Sequence, residues 1–406
     1  MANPLPRLRT NLDFMPSPLE DRPGLLIRDP LHFSDVTLIL PPFFVPMLEF
    51  FDGERSSEDL RGAMLEMTGD LRVGEIVEHL VDSMTMAGFL EDETYTEMRT
   101  ERERQFAESE TRWATHSGSG YPESKSDLER TMLGYMENGE PAEGDWIGIA
   151  APHVSPEGGW KSYRSAYAGL SKNYADRVFV VLGTSHYGQP EKFGLTRKRW
   201  TTPWGEARPA LGLIDELAGK AGSAVQMEDY CHCVEHSIEF QVVFLQSLFG
   251  PGIQILPILC GPFARSIYQG GAPEQDDGVK RFLDVLGEMG AREGKGLFWV
   301  LGVDMAHIGR RYGDSFEARA DLGEMAEIAT RDQKRIDAVN AGDADRFWDL
   351  VKENQDDLKW CGSSPFYTFL RAMPNARGIL RRYEQWNIDP QSVVSFAGIH
   401  FSTGGA

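Results

Sequence analysis

Apolar and polar positions follow two different rhythms along this chain, and the change between them divides it. In the first hundred residues the apolar stretches are short. Gly24–Pro30 (GLLIRDP) and Val36–Pro41 (VTLILP) are broken by proline, as expected of a hairpin of edge strands. A short helix is expected to end at Asp52-Gly53. A second is expected to start at Ser56 or Ser57, with Glu58 and Asp59 in its first turn, where acidic groups favour the helix dipole. Val73, Ile76, Val77, Leu80, Val81 and Met84 recur at helical spacing and predict a third helix. Ala87–Asp92 (AGFLED) reads as a closing strand or wing. Residues 96–127 begin as a charged helix and end in Ser, Gly and Pro, the composition of a linker.

From residue 128 to 406 strand-like apolar runs alternate with helical segments. The runs are WIGIAAP (Trp146–Pro152), RVFVVLG (Arg177–Gly183), IQILPILC (Ile253–Cys260), GLFWVLGVD (Gly296–Asp304) and VVSFAGIHF (Val393–Phe401). Continuous apolar strands predict burial on both faces, hence an α/β domain with a helix-covered central sheet. The chain is too long for one ordinary core, so a small α+β module over 1–95 and a large α/β domain over 128–406 are expected.

Composition narrows the function classes. The net charge of -21 argues against nucleic acid or an anionic membrane as partner. Residues 1–100 alone hold 8 Lys and Arg against 19 Asp and Glu, which speaks against a DNA-binding winged helix. No apolar run approaches the ~18 residues of a membrane span, and no apolar segment follows the early arginines as a secretory signal requires. Four cysteines form no disulfide framework, and reduced thiols in a cytoplasmic protein are expected. Cys231 and Cys233 have no second pair with which to make a four-cysteine zinc site.

Nine histidines exist in the chain, and three follow the ends of predicted core strands: His153, His186 and His307. Ligands bind beyond the carboxyl ends of strands in open α/β sheets, so these three are expected to converge. A further cluster, DYCHCVEHSIEFQ (Asp229–Gln241), places His232 and His236 four residues apart, on one face if the segment is helical. Glu235, Glu239 and Asp229 could supply a ligand or an acceptor behind one. Imidazole suits Zn, Fe and Cu. The competing reading of this cluster is a helix start with a hydrogen-bonded histidine.

APHVSPEGGW, VLGTSHYG, TTPWG, HCVEHSIEFQ and LGVDMAHIG stand in the order of the blocks of the Memo family, which the chain resembles over some 270 residues. With its extra N-terminal module it looks most like the AmmeMemoRadiSam system protein B group, and the family's fold is similar to that of the LigB-like class III extradiol dioxygenases. The resemblance implies that His153 and His186 are metal ligands and that His236 is a catalytic acid/base; His232 and Glu235, from the same cluster, are counted as catalytic candidates with it. The family's third ligand falls on Ala306 in this reading; either His307 or Asp304 then completes the site, or metal binding is weak or lost. Cys361, in WCGSSPF, lies at a CG-x-x-P turn of Memo domains, either lining the pocket or as a small buried hydrophobe. The implied cofactor is iron(II), with copper or zinc as alternatives, and the implied activity is dioxygenase-like on a small molecule. The alternatives are a binding or scaffold protein working with a radical-SAM partner, and a metallohydrolase. The helix–helix–helix–wing order of residues 1–95 resembles the PqqD-like winged-helix modules, which implies a peptide partner taken up by edge-strand addition.

Overall fold

The computed structural model describes residues 4–139 and 144–404. Contacts divide the chain between Glu108 and Ser109 into two compact units.

The first unit holds a three-stranded antiparallel sheet, Asp13–Pro16, Leu25–Arg28 and Thr37–Leu40, in that order. The two expected strands pair with Leu25 opposite Leu40, but Leu25–Arg28 is central rather than an edge. Its other neighbour is Asp13–Pro16, a strand that its Asp and Pro conceal from the hydrophobic pattern. Ser57–Thr68 is a helix because Ser56 and Asp59 close a capping box, each side chain taking the other's backbone N–H. In the helix Val73–Met86, Val73, Val77, Leu80 and Met84 are buried, the stripe expected from spacing. Leu90 forms only an isolated bridge with Leu8. Arg9 and Asp29 make a fully buried ion pair, and Arg9 also donates to the Gly88 carbonyl at 2.8 Å.

The second unit is built on five core strands: β1 (Trp146–Ala151), β2 (Val178–Thr184), β3 (Gln254–Cys260), β4 (Leu297–Gly302) and β5 (Ser392–Thr403). They lie in the order β5-β1-β4-β2-β3. β1, β4, β2 and β3 are parallel, and β5 runs antiparallel to β1. Side chains alternate between two cores. Leu297, Trp299 and Leu301 pack on one face with Phe282, Leu286 and Phe369, while Phe298 and Val300 pack on the other with Tyr163, Tyr167 and Phe244. Burial on both faces is why these strands read as unbroken apolar runs.

The stretch read as a linker divides differently. Glu93–Glu108 is a helix of the first unit. Thr111–Arg112 is a short strand that pairs with Arg199–Trp200 in the second. Ser124 caps the next helix, Lys125–Met136. The Ser/Gly/Pro composition of residues 115–124 thus marks turns within a domain. Among the described residues no helix is long and apolar enough to cross a membrane.

Candidate metal centre

Register places the site. Ala151 of β1, Gly302 of β4 and Gly183 of β2 stand in one row across the sheet. The residues just beyond that row are His153, Asp304 and Ser185-His186. The two glycines have a steric purpose. A Cβ on Gly302 would lie 2.1 Å from the Ser237 carbonyl oxygen, and one on Gly183 would lie 2.5 Å from Ser237 Oγ. Only bare backbone at these two strand ends lets the His236–Gln241 segment lie across them. Ser237 Oγ then donates to the Thr184 carbonyl at 2.8 Å, and Gln241 Nε2 donates to the Pro152 carbonyl at 2.7 Å.

The result is a triangle of imidazoles. The ring centroids of His153, His186 and His236 are 5.0, 5.1 and 5.1 Å apart. One nitrogen from each lies within 4.8 Å of the others, so the three could hold a metal ion. Two of the rings are oriented from behind. His153 Nδ1 sits 2.9 Å from the Gly302 carbonyl, which can only accept, so Nδ1 carries the proton. His186 Nδ1 donates to Glu235 Oε2 at 2.8 Å, and the other oxygen of Glu235 takes the His186 backbone N–H. With Nδ1 engaged in both rings, Nε2 is the nitrogen left for the pocket, the arrangement found behind metal-bound histidines. Burial works to lower the His186 pKa, but Glu235 and Cys361 outweigh it and raise it well above its ordinary value. His236 is bounded by the rings of His116, His153, His186 and Phe240. Burial, reinforced by the charges of His153 and His186, pushes its pKa well down.

A thiol lies beside this triangle. Cys361 Sγ lies 3.2 Å from His153 Nε2. The turn that carries it is docked on the ends of β2 and β4: Thr184 Oγ1 donates to the Cys361 carbonyl at 2.9 Å, and the Gly362 N–H donates to the Asp304 carbonyl at 3.0 Å. Burial works to raise the Cys361 pKa, but His153 and His186 outweigh it and bring it down to about 7.

The other expected site residues lie elsewhere. Asp304 holds His153 from behind, accepting its backbone N–H at 2.9 Å, and burial raises the Asp304 pKa to about 6. His307 starts a short strand against β5. Its Nδ1 points at the carbonyls of Met305 and Lys359, 2.9 and 3.1 Å away, and it is not one of the three converging imidazoles. Ala306 is no vacancy in a ligand set. Its backbone is bonded in both directions to Ser395 and its methyl packs in the hydrophobic core. His232 and His236 do not share a helix face, because the helical turn Cys231–Val234 ends there and Glu235 is extended. His232 is fully buried, donates Nε2–H to the Gly194 carbonyl at 3.0 Å, and has its pKa pushed down by burial to about 3. That is the structural histidine of the competing reading. Glu239 does not face the pocket either; it binds Arg112, the His116 N–H and Tyr121. His116 and Arg112, which touch this region, escaped the sequence reading because they sit in the presumed linker.

Residues 112–400 match the profile of the Memo-like protein family. A MEMO1 family protein of Aquifex aeolicus is 24% identical over 380 residues, covering 93% of this chain and 95% of that protein. One from Methanosarcina acetivorans is 27% identical over 71% of this chain and 98% of its own length. The Caenorhabditis elegans protein memo-1 homolog is 25% identical over 66% of this chain and 72% of its own. The fold defines an α/β protein with a histidine-rich pocket at the strand ends, and the chain belongs to the Memo-like family. The 380 residues matched in the Aquifex protein exceed the length of the second unit, so that likeness extends into the first.

Proposed function

We propose that this pocket holds one redox-active metal ion, iron(II) in the first instance and copper next, and that the protein is an oxidoreductase of dioxygenase-like type acting on a small phenolic or similarly redox-active molecule. One observation carries the reading: three imidazoles converge at the strand ends, two with Nδ1 tied down so that Nε2 faces inward, and a thiol lies against them. Histidine and thiolate donors suit iron, copper and zinc and are poor partners for calcium or magnesium. His153 Nε2, His186 Nε2 and Cys361 Sγ would hold the ion. Once bound it would supply a Lewis acid and a one-electron redox partner.

The remaining roles belong to the protein. Glu235 and Asp304 hold His186 and His153 in place. His236, kept neutral by its surroundings, is positioned to take a proton from a hydroxyl entering the triangle. Tyr187, exposed beside His186, would form the rim.

The test is elemental analysis of protein purified without added metal, then anaerobic titration with iron(II), copper(I) and zinc. One ion per chain is expected, lost in His153→Ala and His186→Ala, with oxygen uptake on phenolic substrates in the iron or copper form. No uptake of any of the three ions would sink the reading. Binding of zinc alone, without oxygen consumption, would favour a metallohydrolase.

A further inference from the structure

Four consecutive backbone carbonyls lead into the turn that carries Glu235 and His236, and one short segment bonds all of them. Arg112 Nε donates to the His232 carbonyl at 2.8 Å, Thr115 Oγ1 to Cys233 at 2.6 Å, His116 Nε2 to Val234 at 2.9 Å, and Arg112 Nη2 to Glu235 at 2.9 Å. The same segment grips the first residue of the following helix. Glu239 is fully buried and is bound by Arg112 Nη1, by the His116 N–H at 3.0 Å and by the Tyr121 hydroxyl. Arg112 is itself fully buried, its guanidinium 4.5 Å from the Trp200 ring. Gly120 lets the segment close, since a Cβ there would lie 2.7 Å from the Phe240 ring.

A turn of extended backbone between two helices has no ladder of its own to satisfy its carbonyls. Glu235 must nevertheless stand where both its oxygens meet His186, and His236 where its ring meets two others. A planar fork with five fixed donors can span two carbonyls and a carboxylate at once; an ammonium cannot.

We infer that Arg112, with Thr115 and His116 beside it, is a positioning group for the metal pocket: the segment Thr111–Tyr121 acts as a strap that sets the Cys231–His236 turn, and through it the placement of Glu235, His186 and His236. Arg112 touches neither ion nor substrate and acts only through that turn. The inference rests on the metal-pocket reading, and it predicts that pocket geometry depends on a stretch whose composition resembles a linker.

The test uses the full chain. Arg112→Lys keeps the charge opposite Glu239 and forfeits the fork. Thr115→Val removes one clasp at an exposed position. Cobalt(II) titration followed by visible absorption is expected to show affinity weakened by ~10–100-fold in Arg112→Lys, the range typical of groups that orient metal ligands, and by a smaller factor in Thr115→Val, with altered cobalt band positions. Imidazole NMR of the metal-free protein is expected to show loss of the protected Nδ1–H of His186 in Arg112→Lys. Binding within twofold of the parent together with an unchanged His186 signal overturns the inference. Should Arg112→Lys fail to fold, Thr115→Val decides by the same two readouts. Should the parent bind no cobalt, the proposed function falls, and the His186 signal alone judges the strap.

Discussion

The thiol of Cys361 and Nε2 of His153 stand 3.2 Å apart although 208 residues separate them in the chain. Nothing in their sequence neighbourhoods brings them together. The Trp360–Gly362 turn does so, by binding the polar groups of Thr184 and Asp304 at the ends of β2 and β4. With both groups turned on the same space, a soft ion should discriminate strongly between thiol and hydroxyl at this position. Cys361→Ser is expected to weaken copper(I) and zinc binding by at least ~10-fold while the fold is retained. Calorimetric titration of each ion into parent and variant checks it. Alkylation of Cys361 should also slow when the pocket is loaded; equal rates with and without metal would remove the thiol from the donor set.

Glu235 makes a distinct prediction. It accepts two hydrogen bonds from one residue, the backbone N–H and Nδ1–H of His186. An amide has only one acceptor oxygen, so Glu235→Gln must leave one of these donors facing an NH2 group. Metal affinity should fall by ~10–100-fold with the stoichiometry kept at one ion per chain, read from the same titration.

His307 separates the structure from the reading by resemblance. Its Nδ1 faces two backbone carbonyls and its ring packs edge-on against Tyr312, centroids 4.9 Å apart. His307→Ala should therefore leave one ion bound per chain, whereas His153→Ala should bind none. Elemental analysis of the two proteins side by side decides between a ligand and a neighbour.

Much of this was legible beforehand. The five apolar runs became the five core strands, and strand-end placement alone brought His153 and His186 together, because parallel strands in register deliver their next residues to one edge. What stayed hidden has physical reasons. Ala306 looked like a gap because sequence order suggests that a ligand set is filled locally, while the thiol beside His153 comes from a turn more than fifty residues later. The segment 111–121 looked like a linker because Ser, Thr and Gly serve equally in loops and in close-packed polar contacts. Only the buried pairing of Arg112 with Glu239 tells the two apart. The strand Asp13–Pro16 carried no alternation to read.

The first unit offers a stability test of its own. Arg9 and Asp29 are both buried, at 2% and 3% exposure, and Asp29 also takes the N–H groups of Leu31 and Ser34. Removing the guanidinium leaves a carboxylate in a dry site with a partner missing, an arrangement that costs ~3–5 kcal/mol. Arg9→Met should lose that much, seen as faster amide hydrogen exchange across residues 4–108.

The most exacting prediction concerns Gly302. It has no left-handed dihedral to explain it; the reason is the approach of another backbone, since a Cβ would lie 2.1 Å from the Ser237 carbonyl oxygen and 3.0 Å from the Gln241 side chain. A carbonyl cannot rotate away as a flexible side chain can. Gly302→Ala must therefore either push the His236–Gln241 segment off the strand ends or bend β4, which is paired on both sides. Overpacking of this kind costs ~1–3 kcal/mol, and the segment, held by fewer bonds than the strand, should be the part that moves. Ser237 would then lose its bond to the Thr184 carbonyl, and His236 would leave the triangle. The expected result is a lower unfolding midpoint together with a changed cobalt(II) spectrum and the loss of any activity that depends on His236. Gly183→Ala meets Ser237 Oγ and the Ile238 side chain instead, groups with some freedom to turn, and should show the same changes in weaker form. If Gly302→Ala kept the parent's spectrum and midpoint, the close approach that seats His236 would not exist as described.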